Sequence, residues 1–115
     1  MLLGIERDDT ETDVEYIVRK IHSVRLWDDW KNSVKDKKFE ILLISQFTIM
    51  ASMKKGNKPD FRKAMSSTEA LVIFNTCRDR LSEFVNVECG FFGQHMTIDV
   101  EMDGPVTILI DSKSR

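Results

Sequence analysis

The sequence predicts an α/β fold, with a β-sheet or barrel-like set of strands covered by two main helices. Three observations support this. The segment 39–48 is a nearly continuous apolar run, typical of a strand buried on both faces. Segments 12–23 and 66–84 repeat apolar residues at helical spacing. Near the C-terminus, 96–102 and 106–110 alternate apolar and polar residues, which predicts two further strands.

Composition bounds the class of protein. The 115 residues, 42% hydrophobic and 31% charged, are typical of a soluble globular protein and predict one domain over 1–115. No apolar run approaches the roughly 20 residues of a membrane helix, and the chain shows no leader, so we expect a cytoplasmic protein without membrane contact. The net charge of −2 disfavours nucleic-acid binding through the overall field, but local basic patches stay possible.

The first elements are a short strand and a helix. Residues 1–5 form an apolar run that resembles the end of a buried strand, and an acidic connector, 6–11, follows. Thr10 and Asp13 form a capping box for a helix over 12–23. Its buried face is predicted to carry Val14, Ile17, Val18 and Ile21.

The next segments lead to the central strand. His22, at the end of the first helix, is expected to be structural, because an imidazole there favours the helix dipole. Residues 24–27 predict a strand, 28–29 a turn, and 30–38 an irregular polar stretch. The apolar run 39–48 then predicts the central strand of the sheet.

This central strand ends in polar residues. Ser45, Gln46 and Thr48 follow the apolar run, with Phe47 between them. Polar groups at the end of a buried strand commonly line a site. A strand that merely reaches solvent would show the same pattern, and the residues alone leave both interpretations open.

The segment 53–63, which we call the basic loop, combines positive charge with an aromatic residue, Phe61. Its basic residues are Lys54, Lys55, Lys58, Arg62 and Lys63. Such a run is usually a solvated loop. It also suits the end of a nucleic acid, whose phosphates would meet the lysines while a base stacks on the ring.

The second helix begins with a capping box formed by Ser66 and Glu69 and extends to about Phe84. Its apolar face carries Ala70, Phe74, Cys77, Leu81 and Phe84. Residues 90–93 predict a loop. Cys77 and Cys89 show no metal-binding spacing, so we expect two reduced, structural thiols.

Gly104-Pro105 lies between the last two predicted strands. An ordinary turn is one interpretation. The other is a rigid backbone element whose main-chain groups are offered to a ligand, because proline restricts the backbone while glycine reaches angles closed to other residues.

Several common sites are disfavoured. The chain has no GxSxG elbow, and its two histidines lie far apart. No HExxH, paired Cys/His spacing or glycine-rich phosphate loop occurs, so we expect neither a metal nor a cofactor. Any chemistry would rely on main-chain groups, hydroxyls and the substrate itself.

Two motifs together resemble the D-aminoacyl-tRNA deacylase family: Ser45-Gln46-Phe47-Thr48 and Asp103-Gly104-Pro105-Val106-Thr107. Their order and spacing are those of the family. Supporting segments are Lys55–Phe61, Leu2–Ile5, and Phe92-Gly93 with Met96. The similarity covers essentially all 115 residues.

The resemblance implies an enzyme that hydrolyses the ester of D-aminoacyl-tRNA and glycyl-tRNA, as chiral proofreading in translation. It implies a homodimer in which a cis Gly104-Pro105 peptide reaches the partner's site and holds the aminoacyl group with backbone atoms. Residues 45–48 (Ser45, Gln46, Phe47 and Thr48) would form the catalytic pocket for the 3′-terminal adenosine and the ester. Phe61 would contact the adenine, and Met102 would be one of the substrate-binding residues.

The implied mechanism uses few protein groups. With no histidine or cysteine base in the matching positions, the ribose 2′-OH would assist attack by water, and N–H groups near Phe47 and Thr48 would stabilise the oxyanion. Thr48 as a covalent nucleophile is a second possibility, although no neighbouring base is visible.

This sequence departs from the family in three ways. Family members usually carry a strand pair and an arginine before the Leu-Leu-Gly strand, so the resemblance implies that this chain lacks that opening pair. Met102 stands where asparagine is common, and Ile49 where leucine is usual. The alternative function is a non-catalytic nucleic-acid-binding or interaction protein on the same scaffold.

Overall fold

The structure is a computed structural model that describes residues 1–115, and its regular elements all lie before residue 90. The strands are β1 (Leu2–Leu3), β2 (Arg25–Trp27), β3 (Asn32–Ser33), β4 (Ile41–Ser45) and β5 (Val87–Cys89). The helices are α1 (Glu11–Ser23), α2 (Val34–Lys37), a 3₁₀ helix (Phe47–Met50) and α3 (Ser67–Leu81).

The main sheet has three parallel strands in the order β1-β4-β5. Leu2 pairs with Ile44 on one side of β4, and Ile41 pairs with Val87 on the other. The predicted central strand is therefore confirmed, over a shorter range. Burial on both faces is wrong in part, because Leu42 is 49% exposed.

Helix α1 begins where the capping box predicts. The Asp13 carboxylate accepts hydrogen bonds from the backbone N–H and the hydroxyl of Thr10, at 2.9 and 3.2 Å. Val14 and Val18 are buried. At the other end, the His22 ring stacks on Phe84, with the ring centroids 4.0 Å apart, so the structural interpretation of this histidine is confirmed.

Helix α3 packs against α1 over the sheet. Its core positions Ala70, Phe74, Cys77 and Leu81 are all buried, as the spacing predicts. Leu81 and Leu43 of β4 are completely covered. The helix ends at Leu81 rather than at Phe84, because the chain turns there and places Val85 in the core.

Four short elements were not predicted: β3, α2, β5 and the 3₁₀ helix, which begins within the segment 39–48 predicted as a strand. The polar stretch 30–38 contains β3, which pairs antiparallel with β2, and the single turn of α2. Ser33 begins that turn: its hydroxyl accepts the N–H of Asp36, and the Asp36 carboxylate accepts the N–H of Ser33. A one-turn helix is too short to show a hydrophobic period, and β5 has only three residues.

The two C-terminal strands are not formed, so this prediction is wrong. We call residues 95–110 the C-terminal arm. None of its residues makes a hydrogen bond within the chain. A strand requires a neighbour to pair with its N–H and C=O groups, and no other segment of the chain hydrogen-bonds to the arm. Its exposed large apolar residues are Ile98, Val100, Met102, Val106, Ile108 and Leu109.

No helix in the structure is long and apolar enough to cross a bilayer. Both cysteines are free thiols, with Cys77 buried and Cys89 half-buried. Burial raises the pKa of the Cys77 thiol to about 11, which keeps it protonated and unreactive at neutral pH.

Candidate functional site

The end of β4 positions the first two motif residues. Ser45 pairs with Leu3 of β1, and the N–H of Gln46 donates to the carbonyl of Leu3 at 2.9 Å. This bond is the last of the parallel ladder. The chain then leaves the sheet and enters the 3₁₀ helix Phe47–Met50.

The 3₁₀ helix presents free backbone donors. The N–H of Ile49 donates to the carbonyl of Gln46, and that of Ala51 to the carbonyl of Thr48. The N–H groups of Phe47 and Thr48 precede these bonds, where helical geometry supplies no acceptor, and neither has a partner in the chain. Two adjacent unpaired N–H groups at a helix start can stabilise a developing negative charge.

Gly4 allows the 3₁₀ helix to lie against β1. A Cβ atom at Gly4 would stand 2.8 Å from the Cβ of Ile49 and 2.8 Å from the Cε of Met50. Real Cβ contacts are not that short, so any larger residue would push the helix outward. Sequence reasoning missed this role, although a glycine inside an apolar strand often marks close backbone approach.

The side chains of this segment hold no catalytic base. The Gln46 amide donates to the Thr48 hydroxyl oxygen at 2.5 Å. No histidine or carboxylate bonds to that hydroxyl, and His22 is engaged with Phe84 elsewhere. Thr48 therefore lacks the neighbour that would activate it as a nucleophile.

Phe61 stands beside this segment, as its predicted role requires. Its ring meets that of Phe47 edge to face, with the centroids 5.1 Å apart. Two backbone hydrogen bonds between Ser52 and Asp60, of 2.8 and 3.0 Å, hold this part of the chain next to the 3₁₀ helix. Both rings remain partly exposed and offer a flat apolar surface for a base.

Gly104-Pro105 lies apart from this cluster. Its peptide bond is cis, as the resemblance implies, and both residues are exposed. Gly104 has a φ of 117°, and a Cβ there would lie 3.1 Å from the backbone nitrogen of Val106. No hydrogen bond joins this peptide to residues 45–48 of the same chain. Met102 is 59% exposed, and its backbone forms no hydrogen bond within the chain.

An apolar groove of about 1170 Å³ separates the arm from the body of the protein. Its lining includes Met102, Val106 and Ile108 of the arm as well as Ile49 and Met50 of the 3₁₀ helix. The structure therefore brings Phe61 to the segment 45–48, whereas Met102, Gly104 and Pro105 lie on the exposed arm and form no hydrogen bond to that segment.

The chain beyond the arm is fastened to α1 by charge. The Lys113 ammonium lies 3.0 Å from Asp13 and 3.2 Å from Asp9. Burial of the Asp13 carboxyl raises its pKa, but hydrogen bonds from Thr10 and Lys113 outweigh this effect and lower it. The hydrogen bond to Asp13 raises the pKa of Lys113.

Lysines of the chain also neutralise an acidic cluster beside this ion pair. Carboxylate oxygens of Glu6, Asp8 and Asp9 lie within 4.8 Å of one another. Lys113 contacts both Asp8 and Asp9, and Lys63 contacts Glu6 at 3.5 Å. Each carboxylate thus has a cation from the chain itself.

The family model described as D-Tyr-tRNA(Tyr) deacylase matches residues 1–111. The chain belongs to the D-Tyr-tRNA(Tyr) deacylase family. This confirms the resemblance drawn from the two motifs.

Individual members of the D-Tyr-tRNA(Tyr) deacylase family agree with this assignment. A D-aminoacyl-tRNA deacylase 1 of Leishmania major is 48% identical over 124 residues, which cover 100% of this chain and 81% of that protein. A D-aminoacyl-tRNA deacylase of Plasmodium falciparum is 45% identical over 117 residues, with 96% and 71% covered.

The deacylase fold is also found in a solved structure. This structure, titled c-Myc DNA Unwinding Element Binding Protein, is 41% identical and superposes with a TM-score of 0.87. The match covers 93% of this chain and 76% of that one. The predicted α/β deacylase-like fold is therefore confirmed.

Proposed function

We propose that this chain hydrolyses the ester bond of D-aminoacyl-tRNA, releasing the free D-amino acid and tRNA. Glycyl-tRNA is a second substrate. The observation that carries the proposal is the 48% identity, over the whole chain, to a protein named D-aminoacyl-tRNA deacylase 1. Removal of D-amino acids from tRNA would serve proofreading in translation, and we place it in the cytoplasm.

The reaction would take place at the start of the 3₁₀ helix. The N–H groups of Phe47 and Thr48 have no partner and would receive the oxyanion that forms when water attacks the ester carbonyl. The ribose 2′-OH of the substrate would assist that water, since no protein base bonds to Thr48. The terminal adenine would stack on the exposed rings of Phe47 and Phe61.

We propose that the active form is a homodimer in which Gly104-Pro105 of one chain enters the site of its partner. The unpaired backbone and exposed apolar side chains of the C-terminal arm support this, because a second chain would bury both. Within one chain, nothing brings Gly104 to residues 45–48.

Chirality would be read by exclusion. The rigid Gly104-Pro105 backbone would clash with the side chain of an L-amino acid. The side chain of a D-amino acid would point to solvent, and glycine has no side chain that could clash. Met102, just before the turn, would line the approach to this backbone. A clash of about 5.5 kcal/mol corresponds to a discrimination of about 10⁴.

The first test is deacylation of D-tyrosyl-, L-tyrosyl- and glycyl-tRNA by the 115-residue chain, with its oligomeric mass measured in the same buffer. We expect a dimer that hydrolyses the D and glycyl esters and spares the L ester. A folded dimer that spares all three esters would contradict the proposal.

A variant separates this function from plain nucleic-acid binding. Gly104→Ala adds a methyl group at a φ of 117°, which L-residues rarely adopt. We expect D/L discrimination to fall at least about 100-fold, while affinity for uncharged tRNA stays within about twofold. Unchanged discrimination between D and L esters would show that Gly104 does not contribute to the site.

A further inference from the structure

The three lysines of the basic loop that have no carboxylate partner stand next to the candidate site. Segment 53–63 carries five basic residues and one acidic residue, in a chain whose net charge is −2. A polyanion that meets this protein is repelled by the molecule as a whole. It must therefore be attracted by a local feature.

The other two basic residues of the loop are already paired. The Arg62 guanidinium forms an ion pair with the Asp60 carboxylate, with Nη2 and Oδ2 2.6 Å apart. The Lys63 ammonium lies 3.5 Å from a carboxylate oxygen of Glu6. Lys54, Lys55 and Lys58 form no ion pair and are exposed. The carboxylates of Asp60 and Glu6 are thus paired within the chain, and the three ammonium groups without a carboxylate partner remain available to an external anion.

The loop has a fixed position relative to the site. It leaves the chain just after the 3₁₀ helix, and the bonds between Ser52 and Asp60 close its base. Phe61 follows at once and contacts Phe47. Seven residues between Ser52 and Asp60 can extend about 10 Å from this base, so the lysines stay close to the aromatic surface formed by Phe47 and Phe61.

We propose that Lys54, Lys55 and Lys58 bind the phosphates of the single-stranded tRNA 3′ end, on the nucleotides that precede the terminal adenosine. This rests on the proposed function, which places that adenosine on Phe47 and Phe61. The strand then continues past Phe61 toward the loop. Ammonium groups bind such phosphates regardless of sequence, so the contact adds affinity for any tRNA without reading its bases.

The test compares two substrates and three proteins. The substrates are D-tyrosyl-tRNA and the D-tyrosyl ester of adenosine, which carries the same ester but no phosphate. The proteins are the unmodified chain, a loop variant (Lys54→Gln, Lys55→Gln and Lys58→Gln) and a control variant. The control removes the same charge from exposed lysines that form no ion pair: Lys20→Gln, Lys31→Gln and Lys38→Gln.

We expect the loop variant to lose at least about tenfold in kcat/KM on D-tyrosyl-tRNA, mostly through KM, and to stay within about twofold on the adenosine ester. The slope of log kcat/KM against log salt should flatten by about 2, since each phosphate contact on a single strand contributes about 0.7. The control variant should resemble the unmodified chain.

If the unmodified chain is active, two results would overturn the proposal. An equal loss of kcat/KM on D-tyrosyl-tRNA in the loop and control variants would show that only net charge matters. Equal loss on both substrates would place the lysines in the ester site instead. If the unmodified chain hydrolyses neither ester, the proposed function fails. The role of the loop is then tested by binding of a single-stranded RNA that ends in the tRNA 3′ sequence. Weaker binding by the loop variant alone would support phosphate binding by the loop, and equal binding by all three proteins would refute it.

Discussion

The 3₁₀ helix and the C-terminal arm carry the two parts of the candidate site, and the chain itself holds only the first in place. Gln46 bonds to Leu3 and closes the sheet ladder, while Gly4 lets the helix lie directly on β1. The arm makes no hydrogen bond between residues 95 and 110. One part is preorganised by the core, and in the proposed homodimer the other part is held by a second chain. Activity and self-association should therefore rise together.

The largest expected effect comes from emptying a core position on β4, the strand that leads into the 3₁₀ helix. Leu43→Ala empties a fully covered position of β4 and should cost about 2–5 kcal/mol of unfolding free energy. Leu42→Ala, on the 49% exposed side of the same strand, should cost less than about 1 kcal/mol. Chemical denaturation measures both, and equal losses would contradict this orientation of β4.

Hydrogen exchange sharpens the contrast without a substitution. Amides of the arm should exchange freely in dilute, monomeric protein and slow by about 100-fold at concentrations where the dimer forms. Amides of α3 should be protected in both samples, because their bonds lie within the helix. Arm amides that stay unprotected at every concentration would exclude the arm from a paired interface.

A substitution at the contact between β1 and the 3₁₀ helix should have an intermediate effect on stability and also lower activity. Gly4→Ala should cost about 1–3 kcal/mol and lower kcat/KM on D-tyrosyl-tRNA by about tenfold, because the new methyl group moves the free N–H groups. The control is Gly90→Ala, whose Cβ would meet the flexible Sδ of Met96. Loss of activity in the control alone would argue against this role of Gly4.

The smallest effect concerns the ion pair that fastens the end of the chain to α1. The pKa of Asp13 is lowered in the fold, so its contribution to stability is complete above the ordinary carboxyl range and is lost as pH falls below about 4. Asp13→Asn should lower Tm by about 5 °C at pH 7 and by less at pH 3.

Glu15→Gln serves as the matched control, because Glu15 lies exposed on α1 and forms no ion pair. Its Tm should follow that of the unmodified chain at both pH values. A constant deficit of Asp13→Asn across the pH range would assign the effect to lost packing rather than to charge.

Sequence patterns predicted most of the body and the family, but not whether the C-terminal arm pairs with another segment. The helical period located α1 and α3 and their buried faces, since Val14, Val18, Phe74 and Leu81 are all buried. The motif around Ser45 to Thr48 pointed to the right family. What failed was the pairing of the arm, because alternation shows which faces a segment has and not whether another strand is available.

The sequence by itself determined the two long helices, the central strand and the family, because these depend on residues close together in the chain. A helix finds its hydrogen-bond partners four residues away, and a motif keeps its residues in order. Only the tertiary structure decided that Phe61 meets Phe47, that Gly4 seats the 3₁₀ helix, and that the arm lies unpaired. Each of these depends on which distant segment lies alongside, and no local pattern encodes that.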